Sequence, residues 1–492
     1  MRYLSTRGGE TVSAAEAIVS GISPSGGLYV PEDFPLLNVA SLIGKGYDYR
    51  QIACKVMRPY LPDTEEHTLR ELIDEAYRSF DTDVVVPVKQ LNGSESIAEL
   101  WHGPTMAFKD VALQMLPHLL KNALHITGES KEIYILVATS GDTGKAALEG
   151  FRDVYGTRVL VFYPFDGVSE AQRLQMVTQE GNNVDVCAVR GNFDDAQTGV
   201  KQIFANHEIS DQLSVSGVRL SSANSINFGR LLPQIVYYYT SYVSLAESGR
   251  IQAGEPINFC VPTGNFGDIL AGEYARRMGL PIHKLICASN RNNVLTDFFA
   301  QGIYDGKRPF YKSMSCSIDI LISSNLERLL FDLANRDTRT VASWMRQLQD
   351  FGNYRIDEDV RIKLAETFAA GWCSEEDTLA TIRKVFMEHH YLMDPHTAVG
   401  QTVYERYVAN TGDKTQTVLL STANPYKFAT DVLGAFEQVG KDDFANVDRL
   451  HELSGQSVPN GITGLHNKPE LHCDVCDLAD MSERVIHPVL TM

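Results

Sequence analysis

Short apolar runs rich in β-branched residues alternate with segments of helical spacing from about residue 84 onward. Such runs, when separated by helices, are typical of parallel strands whose sheet is covered on both faces. The pattern therefore predicts an α/β fold. The predicted strands cover residues 133–138, 158–163, 184–189, 257–261, 282–288 and 417–420.

The first part of the chain has a different pattern. Turn-rich pieces at 5–9 and 23–31 precede apolar and charged residues at helical spacing from 49 to 80. This change predicts a separate, mostly helical N-terminal module. Arg7 lies in the first turn-rich piece, where we expect a salt bridge, with contact to a substrate anion as the alternative.

The composition narrows the classes of function. With 492 residues, of which 44% are hydrophobic and 22% charged, the chain is long enough for two or three domains. A formal charge of -18 argues against nucleic acid or an anionic membrane as partner, because both bind clustered Lys and Arg. No apolar run approaches the ~20 residues that span a bilayer, and the N-terminus lacks a signal-peptide core. We expect a cytoplasmic protein with a small-molecule ligand.

The cysteines indicate a reducing compartment. Six of the eight are scattered singly, several inside apolar runs, as expected for reduced thiols in a core. Cys473 and Cys476 form a CxxC pair near His466 and His472, which are also possible metal ligands. A second ligand pair at zinc-finger spacing is missing, so we predict no metal site.

The stretch HGPTMAFKD, at 102–110, places one lysine in an apolar run. Apolar surroundings disfavour the charged form of Lys109, and a neutral amine is what Schiff-base chemistry with an aldehyde requires. The alternative from this stretch alone is a lysine that snorkels from an amphipathic helix.

Three polar loops follow predicted strands and precede predicted helices, where ligands bind in parallel α/β sheets. The first, TSGDTGK at 139–145, has glycines for close backbone approach and hydroxyls for an anion, or it is an ordinary helix cap. The second, PTGNFGD at 262–268, resembles a phosphate cradle whose glycines allow positive φ, but it matches neither dinucleotide nor P-loop fingerprints. The third, STANPYKF at 421–428, offers a hydroxyl to a ring nitrogen or caps a helix.

A lysine for an aldehyde, a cradle for a phosphate and a hydroxyl for a pyridine nitrogen together suggest pyridoxal 5'-phosphate. HGPTMAFKD, TSGDTGKAA, PTGNFGD and STANPYKF, in that order, resemble the threonine synthase family, of the longer type with an N-terminal module. GNFDDAQ at 191–197 and NSINFGR at 224–230 resemble it too.

The resemblance implies a fold-type-II pyridoxal phosphate enzyme, similar in architecture to the tryptophan synthase β subunit. Its expected domains are an N-terminal module at 1–95, a small α/β domain at 96–210 with the Schiff-base lysine at the domain interface, and a large α/β domain at 211–492. Both α/β domains are expected to be parallel sheets with helices on both faces. Oligomeric state is left open between a monomer and a weak homodimer.

The resemblance also implies site residues. Lys109 would bind the cofactor covalently and move the protons of the reaction, Asp142 would lie near the ring hydroxyl, and Thr422 would meet the pyridine nitrogen, with Ser421 as the next candidate. The loop of Gly264, Asn265, Phe266, Gly267 and Asp268 would hold the cofactor phosphate. Candidates for the substrate phosphate are Ser140, Thr143, Lys145, Asn227 and Arg230.

The implied activity is that of a carbon-oxygen lyase in threonine biosynthesis, which converts O-phospho-L-homoserine and water to L-threonine and phosphate. One alternative is a similar phospholyase that eliminates phosphate and releases 2-oxobutanoate. The other is a non-catalytic paralogue that acts as a binding protein. No residue separates the first two.

Overall fold

The computed structural model describes residues 1–139 and 141–490 of the chain, apart from the side chains of Asp194 and Ala205. Each apolar run predicted as a strand forms one. The strands are β1 (Tyr3–Ser5), β2 (Tyr29–Pro31), β3 (Val88–Gln90), β4 (Glu95–Glu99), β5 (Glu132–Ala138), β6 (Thr157–Pro164), β7 (Val184–Arg190), β8 (Val218–Ser221), β9 (Ile257–Pro262), β10 (Ile282–Ser289), β11 (Ile303–Asp305), β12 (Asn353–Arg355), β13 (Phe368–Trp372), β14 (Thr417–Ser421) and β15 (Asp474–Asp477).

Helices separate most of these strands, and polar side chains cap many of them. The helices are α1 (Ala14–Ser20), α2 (Tyr49–Met57), α3 (Glu66–Ala76), α4 (Lys109–Leu113), α5 (Leu116–Thr127), α6 (Asp142–Phe151), α7 (Glu170–Val177), α8 (Phe193–Ala205), α9 (His207–Val215), α10 (Phe228–Leu231), α11 (Gln234–Glu247), α12 (Gly267–Arg277), α13 (Val294–Gln301), α14 (Leu326–Leu333), α15 (Thr338–Phe351), α16 (Glu358–Thr367), α17 (Glu375–His389), α18 (Pro395–Thr411), α19 (Ala429–Gly434), α20 (Asp443–Ser454) and α21 (Met481–Leu490).

Two sheets carry the fold. The large sheet has the strand order β13-β10-β9-β14-β4-β3, with all neighbours parallel except β3 and β4. The small sheet has the order β15-β7-β6-β5-β8 and is parallel throughout. Consecutive residues of β9 and β14 are all buried, so helices cover both faces, as predicted for an α/β fold.

Each sheet includes strands that come from distant parts of the sequence. The small sheet takes its edge strand β15 from near the C-terminus, beside β7. The large sheet takes β3 from the end of the predicted N-terminal module and β4 from the start of the predicted small domain. The division into domains at 95/96 and 210/211 stays a prediction.

The N-terminal module contains the small antiparallel ribbon of β1 and β2 and the helices α1 to α3. It is fastened to the start of α14, where Arg7 forms two hydrogen bonds of 2.8 and 2.7 Å with the carboxylate of Glu327. Thr6 Oγ1 donates to the same carboxylate at 2.6 Å. Arg7 therefore makes the salt bridge that we expected rather than facing an open anion site.

The cysteines are all free thiols. Within the part of the chain that the structure describes, no group of three or more His, Cys, Asp or Glu side chains is placed to hold a metal ion. His472, beside the CxxC pair, instead contacts Asp185 and the carbonyl oxygen of Gln179. Over the same residues no helix is long and apolar enough to cross a membrane.

Candidate active site

Lys109 is the first residue of α4 and only 7% of its surface is exposed. Its Nζ atom donates a hydrogen bond of 2.9 Å to Ser317 Oγ and lies 3.7 Å from Asp142 Oδ2. Burial lowers the pKa of Lys109 from its ordinary value, and the nearby Asp142 carboxylate only partly opposes this effect. The lysine is therefore held inside the protein and does not snorkel to the surface.

Backbone contacts around Lys109 hold it at the end of β14. Phe108 N donates to the carbonyl oxygen of Thr422 at 2.8 Å, and Ala107 forms a bridge with Ala423. The turn before them is closed by Asp110, which accepts 2.8 and 2.6 Å hydrogen bonds from the amide and hydroxyl of Thr105. These contacts bring the lysine segment and the STANPYKF loop together.

Asp142 begins α6 and is surrounded by donors. Its carboxylate accepts hydrogen bonds from Ser317 Oγ at 2.9 Å and from Gln172 Nε2 at 3.2 Å, and Lys427 Nζ lies 3.3 Å from Oδ1. Burial alone would raise the pKa of Asp142, but Lys427 and Lys109 hold it well below the usual range. Asp142 is therefore a buried carboxylate that stays ionised between two lysines.

The PTGNFGD loop connects β9 to α12, and two residues from outside the loop donate hydrogen bonds to its carbonyl oxygens. Ser323 Oγ donates to the carbonyl oxygen of Gly264 at 2.6 Å, while Asn325 donates twice to that of Asn265, each at 3.1 Å. The two glycines do not use the positive φ that they allow: the residue of this loop with positive φ is Phe266, at 61°. Phe266 tolerates this conformation because its ring is buried against Phe299 and Phe368.

Asp268, in the first turn of α12, turns into the protein. Its Oδ1 atom accepts hydrogen bonds from the hydroxyls of Tyr237 and Tyr238, and burial raises the pKa of Asp268 to about 7. Its side chain is thus engaged below the loop. The amide groups of the loop and the N-terminus of α12 are the parts suited to an anion.

Arg230 is 6% exposed and lies within electrostatic reach of Lys109. Its Nη1 atom donates to the carbonyl oxygen of Ala223 at 2.7 Å, but no carboxylate of the described residues pairs with it. Burial lowers the pKa of Arg230 to about 10. A buried guanidinium without a counter-ion suits an anionic ligand.

The other candidates for the substrate phosphate are placed differently. Asn227 caps α10 through Gly229 N and donates to the carbonyl oxygen of Ile18, so its side chain is already hydrogen-bonded. Lys145 is bonded to Glu149 and Gln179. Thr143 is partly exposed in the first turn of α6, and Ser140 lies outside the described residues.

Ser421 and Thr422, the two hydroxyl residues that begin the third loop, have different contacts. Ser421 Oγ accepts hydrogen bonds of 3.0 Å from Trp101 Nε1 and from Thr397 Oγ1, so it is engaged. Thr422 is buried, and its backbone is bonded to the residue before Lys109. Ser421 is thus engaged with Trp101 and Thr397, whereas Thr422 lies beside the lysine segment through its backbone, and its role as partner of a ring nitrogen stays a prediction.

Sequence reasoning missed four residues that contact this cluster. They are Gln172, Ser317, His396 and Lys427. Lys427 stands inside a motif that we recognised, yet nothing near it in the sequence indicates that it meets Asp142. Ser317 and Gln172 have no local signal at all, because they are brought in by the fold.

The cluster can hold a group that carries an aldehyde and a phosphate. The buried lysine suits the aldehyde, and the PTGNFGD loop at the N-terminus of α12 suits the phosphate. A Cβ atom at Gly264 would lie 2.9 Å from the carbonyl oxygen of Ser317, so a side chain there would push this loop away from the lysine side of the cluster. Residues of both sheets meet here, as ligand sites in α/β proteins do.

Comparisons with known proteins agree with this geometry. The family model described as "Threonine synthase N terminus" matches residues 2–77, and "Threonine synthase, C-terminal" matches residues 397–486. Threonine synthase of Pseudomonas aeruginosa is 41% identical over 433 residues, which cover 87% of this chain and 89% of that protein. Threonine synthase-like 1 of Homo sapiens is 42% identical over 489 residues, covering 96% of this chain but 63% of that longer protein.

A solved structure matches along almost the whole length. The crystal structure of PLP-bound threonine synthase from Brucella melitensis has a TM-score of 0.88 and 36% identity, and the match covers 99% of each chain. This match confirms the fold-type-II class that the resemblance implied. Together with the two family models and the relative from Pseudomonas aeruginosa, it shows that the chain belongs to the threonine synthase family.

Proposed function

We propose that this protein is a pyridoxal phosphate-dependent threonine synthase that converts O-phospho-L-homoserine and water to L-threonine and phosphate. The observation that carries the proposal is Lys109, a buried lysine 3.7 Å from an ionised aspartate, in a chain of this family. The threonine synthase from Brucella melitensis has PLP bound, which supports the same cofactor here. The chain spans 63% of the length of Threonine synthase-like 1 of Homo sapiens.

In this proposal three groups of residues would hold the cofactor. Lys109 would bind its aldehyde, the loop from Gly264 to Asp268 would bind its phosphate through backbone N–H groups, and Thr422 would be the partner of its ring nitrogen. Asp142 would be the residue nearest its ring hydroxyl. When bound, pyridoxal phosphate supplies an electron sink that stabilises negative charge next to the substrate amine.

Lys109 is the base. Its lowered pKa leaves a larger share of neutral amine near neutral pH than an exposed lysine has, and a neutral amine can remove protons from the substrate Cα and then Cβ. The Asp142 carboxylate stabilises the ammonium form that results, because it lies 3.7 Å away and stays ionised. One lysine can therefore take up and return protons without leaving the site.

Arg230 is the best-supported partner for the substrate phosphate. It is buried, it has no carboxylate partner among the described residues, and it lies near Lys109. Two further candidates, Lys145 and Asn227, are weaker because their side chains already have partners in the protein. The proposal also keeps Ser140 and Thr143 as weaker candidates.

We infer a cytoplasmic protein that is a monomer or a weak homodimer and has no nucleic-acid or membrane partner. The charge of -18 and the free, mostly buried cysteines support this inference.

The test is a product analysis of the full chain with O-phospho-L-homoserine. Threonine and phosphate in equal amounts support the proposal, whereas 2-oxobutanoate with phosphate would identify the phospholyase. Lys109→Ala, as the matched control, should form neither product while keeping the melting temperature within a few degrees. Absence of both products and of any bound cofactor in the wild type would favour a binding protein.

A further inference from the structure

Ser317 stands between Lys109 and Asp142. Lys109 Nζ donates to Ser317 Oγ at 2.9 Å, and Ser317 Oγ in turn donates to Asp142 Oδ2 at 2.9 Å. The distance from Lys109 Nζ to Asp142 Oδ2 is 3.7 Å, too long for a direct hydrogen bond. The lysine is thus near the carboxylate but bonded to a neutral hydroxyl.

Ser317 is itself held by a buried pair of side chains at the start of α18. Its backbone N–H donates to His396 Nε2 at 3.0 Å, and His396 Nδ1 lies 2.7 Å from Asp394 Oδ1. Because Nε2 accepts a hydrogen bond, we assign the ring proton to Nδ1, which donates it to Asp394. His396 and Asp394 are 1% and 0% exposed, so this arrangement is rigidly enclosed.

We propose that Ser317, held in place by the Asp394–His396 pair, is a positioning residue that keeps the amine of Lys109 from closing into a direct ion pair with Asp142. The proposal rests on the proposed function, in which that amine acts as a base. A direct charge-assisted hydrogen bond would stabilise the ammonium form more strongly than a bond to a hydroxyl does. By occupying this position, Ser317 keeps the pKa of Lys109 lowered and so preserves the share of neutral amine that proton removal needs.

The other charged or titratable groups near the lysine do not supply this control. Arg230 and Lys427 oppose a positive charge on Lys109, while the thiol of Cys316 is kept neutral at physiological pH because burial raises its pKa to about 12. Asp142 is thus the anion that Lys109 would approach, and the Ser317 hydroxyl is the group bonded to both.

The first experiment titrates Lys109 directly in the full chain after the cofactor has been removed. Trace acetylation with acetic anhydride is followed across pH, and the Lys109 peptide is quantified by mass spectrometry. In Ser317→Ala the lysine side chain can close the 3.7 Å distance between Lys109 Nζ and Asp142 Oδ2. The midpoint of the Lys109 titration should therefore move up by about one pH unit, and labelling below the midpoint should be roughly tenfold slower than in the wild type. A midpoint equal to or below that of the wild type would overturn the proposal.

Three further variants isolate the cause. Ser317→Thr keeps the hydroxyl and should titrate as the wild type does. In an Asp142→Asn background, Ser317→Ala should no longer raise the midpoint, because the ion pair cannot form. Ser241→Ala is the matched control, because Ser241 is buried and its hydroxyl has no hydrogen-bond partner. This variant should leave the titration midpoint of Lys109 unchanged.

The role of His396 is tested by two replacements. His396→Leu cannot accept the Ser317 N–H and should shift the Lys109 midpoint in the same direction as Ser317→Ala. His396→Gln has a side-chain carbonyl that can accept it and should restore most of the wild-type value. If both replacements lower the melting temperature equally and neither moves the midpoint, His396 has only a structural role and that part of the proposal fails.

The loaded enzyme gives an independent readout. If Lys109 is the base, the acidic limb of the pH profile of kcat should move up in Ser317→Ala by the same interval as the labelling midpoint, with a smaller change in KM. Labelling results as expected, without any threonine formation by the wild type, would remove the proposed function and leave the Ser317 geometry intact. An unmoved limb in an active enzyme would show that Ser317 does not act on the base.

Discussion

Lys427 Nζ lies 3.3 Å from Asp142 Oδ1, and both side chains are almost fully buried. The same lysine donates a 2.8 Å hydrogen bond to the carbonyl oxygen of Thr105, in the turn that leads to Lys109. Lys427 therefore links the carboxylate and the lysine segment through one ammonium group. It compensates a charge that would otherwise be costly to bury.

Replacement of Lys427 by Met should lower the free energy of unfolding by about 3–5 kcal/mol at pH 7, because it leaves Asp142 less well compensated. The pKa of Asp142 is held below its ordinary value in the folded protein, so the stability from its charge is present above the ordinary pKa and is lost as pH falls through the lowered one. In Lys427→Met the pKa of Asp142 should rise, so the deficit in stability relative to the wild type should be largest at pH 7 and should shrink as pH falls through this raised pKa. Urea unfolding from pH 4 to pH 7 measures both effects.

The control for this variant is Lys384→Met, which breaks an exposed pair with Glu405 at 2.9 Å. Its cost should stay below about 1 kcal/mol and should not depend on the same pH range. If the two variants lose equal free energy of unfolding, burial does not increase the contribution of the Lys427–Asp142 pair to stability.

Gly264→Ala should weaken cofactor binding. The new Cβ atom would lie 2.9 Å from the carbonyl oxygen of Ser317 and 3.1 Å from Ile318 Cα, so backbone must move. Overpacking of this kind costs about 1–3 kcal/mol, which corresponds to roughly tenfold to hundredfold weaker binding if the displaced loop holds the cofactor. Equilibrium titration of the cofactor measures the change.

Gly93 is the comparison. A Cβ atom there meets nothing within 4 Å, and Gly93 lies outside the loop proposed to hold the cofactor phosphate. Gly93→Ala should bind the cofactor within about twofold of the wild type, a difference of less than ~0.5 kcal/mol. Wild-type affinity in Gly264→Ala as well would place the cofactor phosphate elsewhere.

Arg230→Gln should change stability and binding in opposite directions. Burial of a guanidinium without a carboxylate partner is unfavourable, so the variant should be at least as stable as the wild type. Loss of a charge-assisted bond to phosphate costs about 1.5–3 kcal/mol and should raise KM roughly tenfold to hundredfold. Arg230→Lys, which keeps the charge but not the fork of donors, should give an intermediate KM.

Thermal unfolding and steady-state kinetics on the same preparations measure the two effects. A stable Arg230→Gln protein with the wild-type KM would exclude Arg230 from the substrate phosphate site. Loss of both stability and affinity would instead mean that the residue is structural.

Thr422→Asp should reduce threonine formation by orders of magnitude, whereas Thr422→Ser should be much milder. A carboxylate beside the ring nitrogen would make the cofactor a stronger electron sink next to the substrate amine, when charge must also develop at Cβ. If Thr422 were only a helix cap, worth ~1 kcal/mol, aspartate would cap equally well. Threonine production and the absorbance spectrum with substrate decide between the two, and full activity in Thr422→Asp would move the role to Ser421.

Much of the scaffold could be predicted from local pattern. The strands that flank the three polar loops are apolar and β-branched, and a buried parallel strand requires such residues whatever its neighbours are. The loops were found because each follows such a strand. Strand position pointed to these loops, and the family resemblance singled out Asp142 and Thr422 within them.

Long-range contacts explain what the sequence did not reveal. Ser317 is 208 residues from Lys109 and lies in a polar segment without a glycine or helix signature. The positive φ of Phe266 is stabilised by aromatic packing on Phe299 and Phe368, which the loop sequence does not contain. Strand β15 reads as a polar segment and becomes a strand only because β7 offers it an edge.

The position of β15 also bears on the order of events during synthesis. The strands β5 to β8 leave the ribosome early, but the strand that covers the outer edge of β7 follows more than two hundred residues later. Until then β7 presents unpaired backbone groups, which invite pairing with another chain. The nascent polypeptide therefore passes through a long interval in which a chaperone would protect it from aggregation.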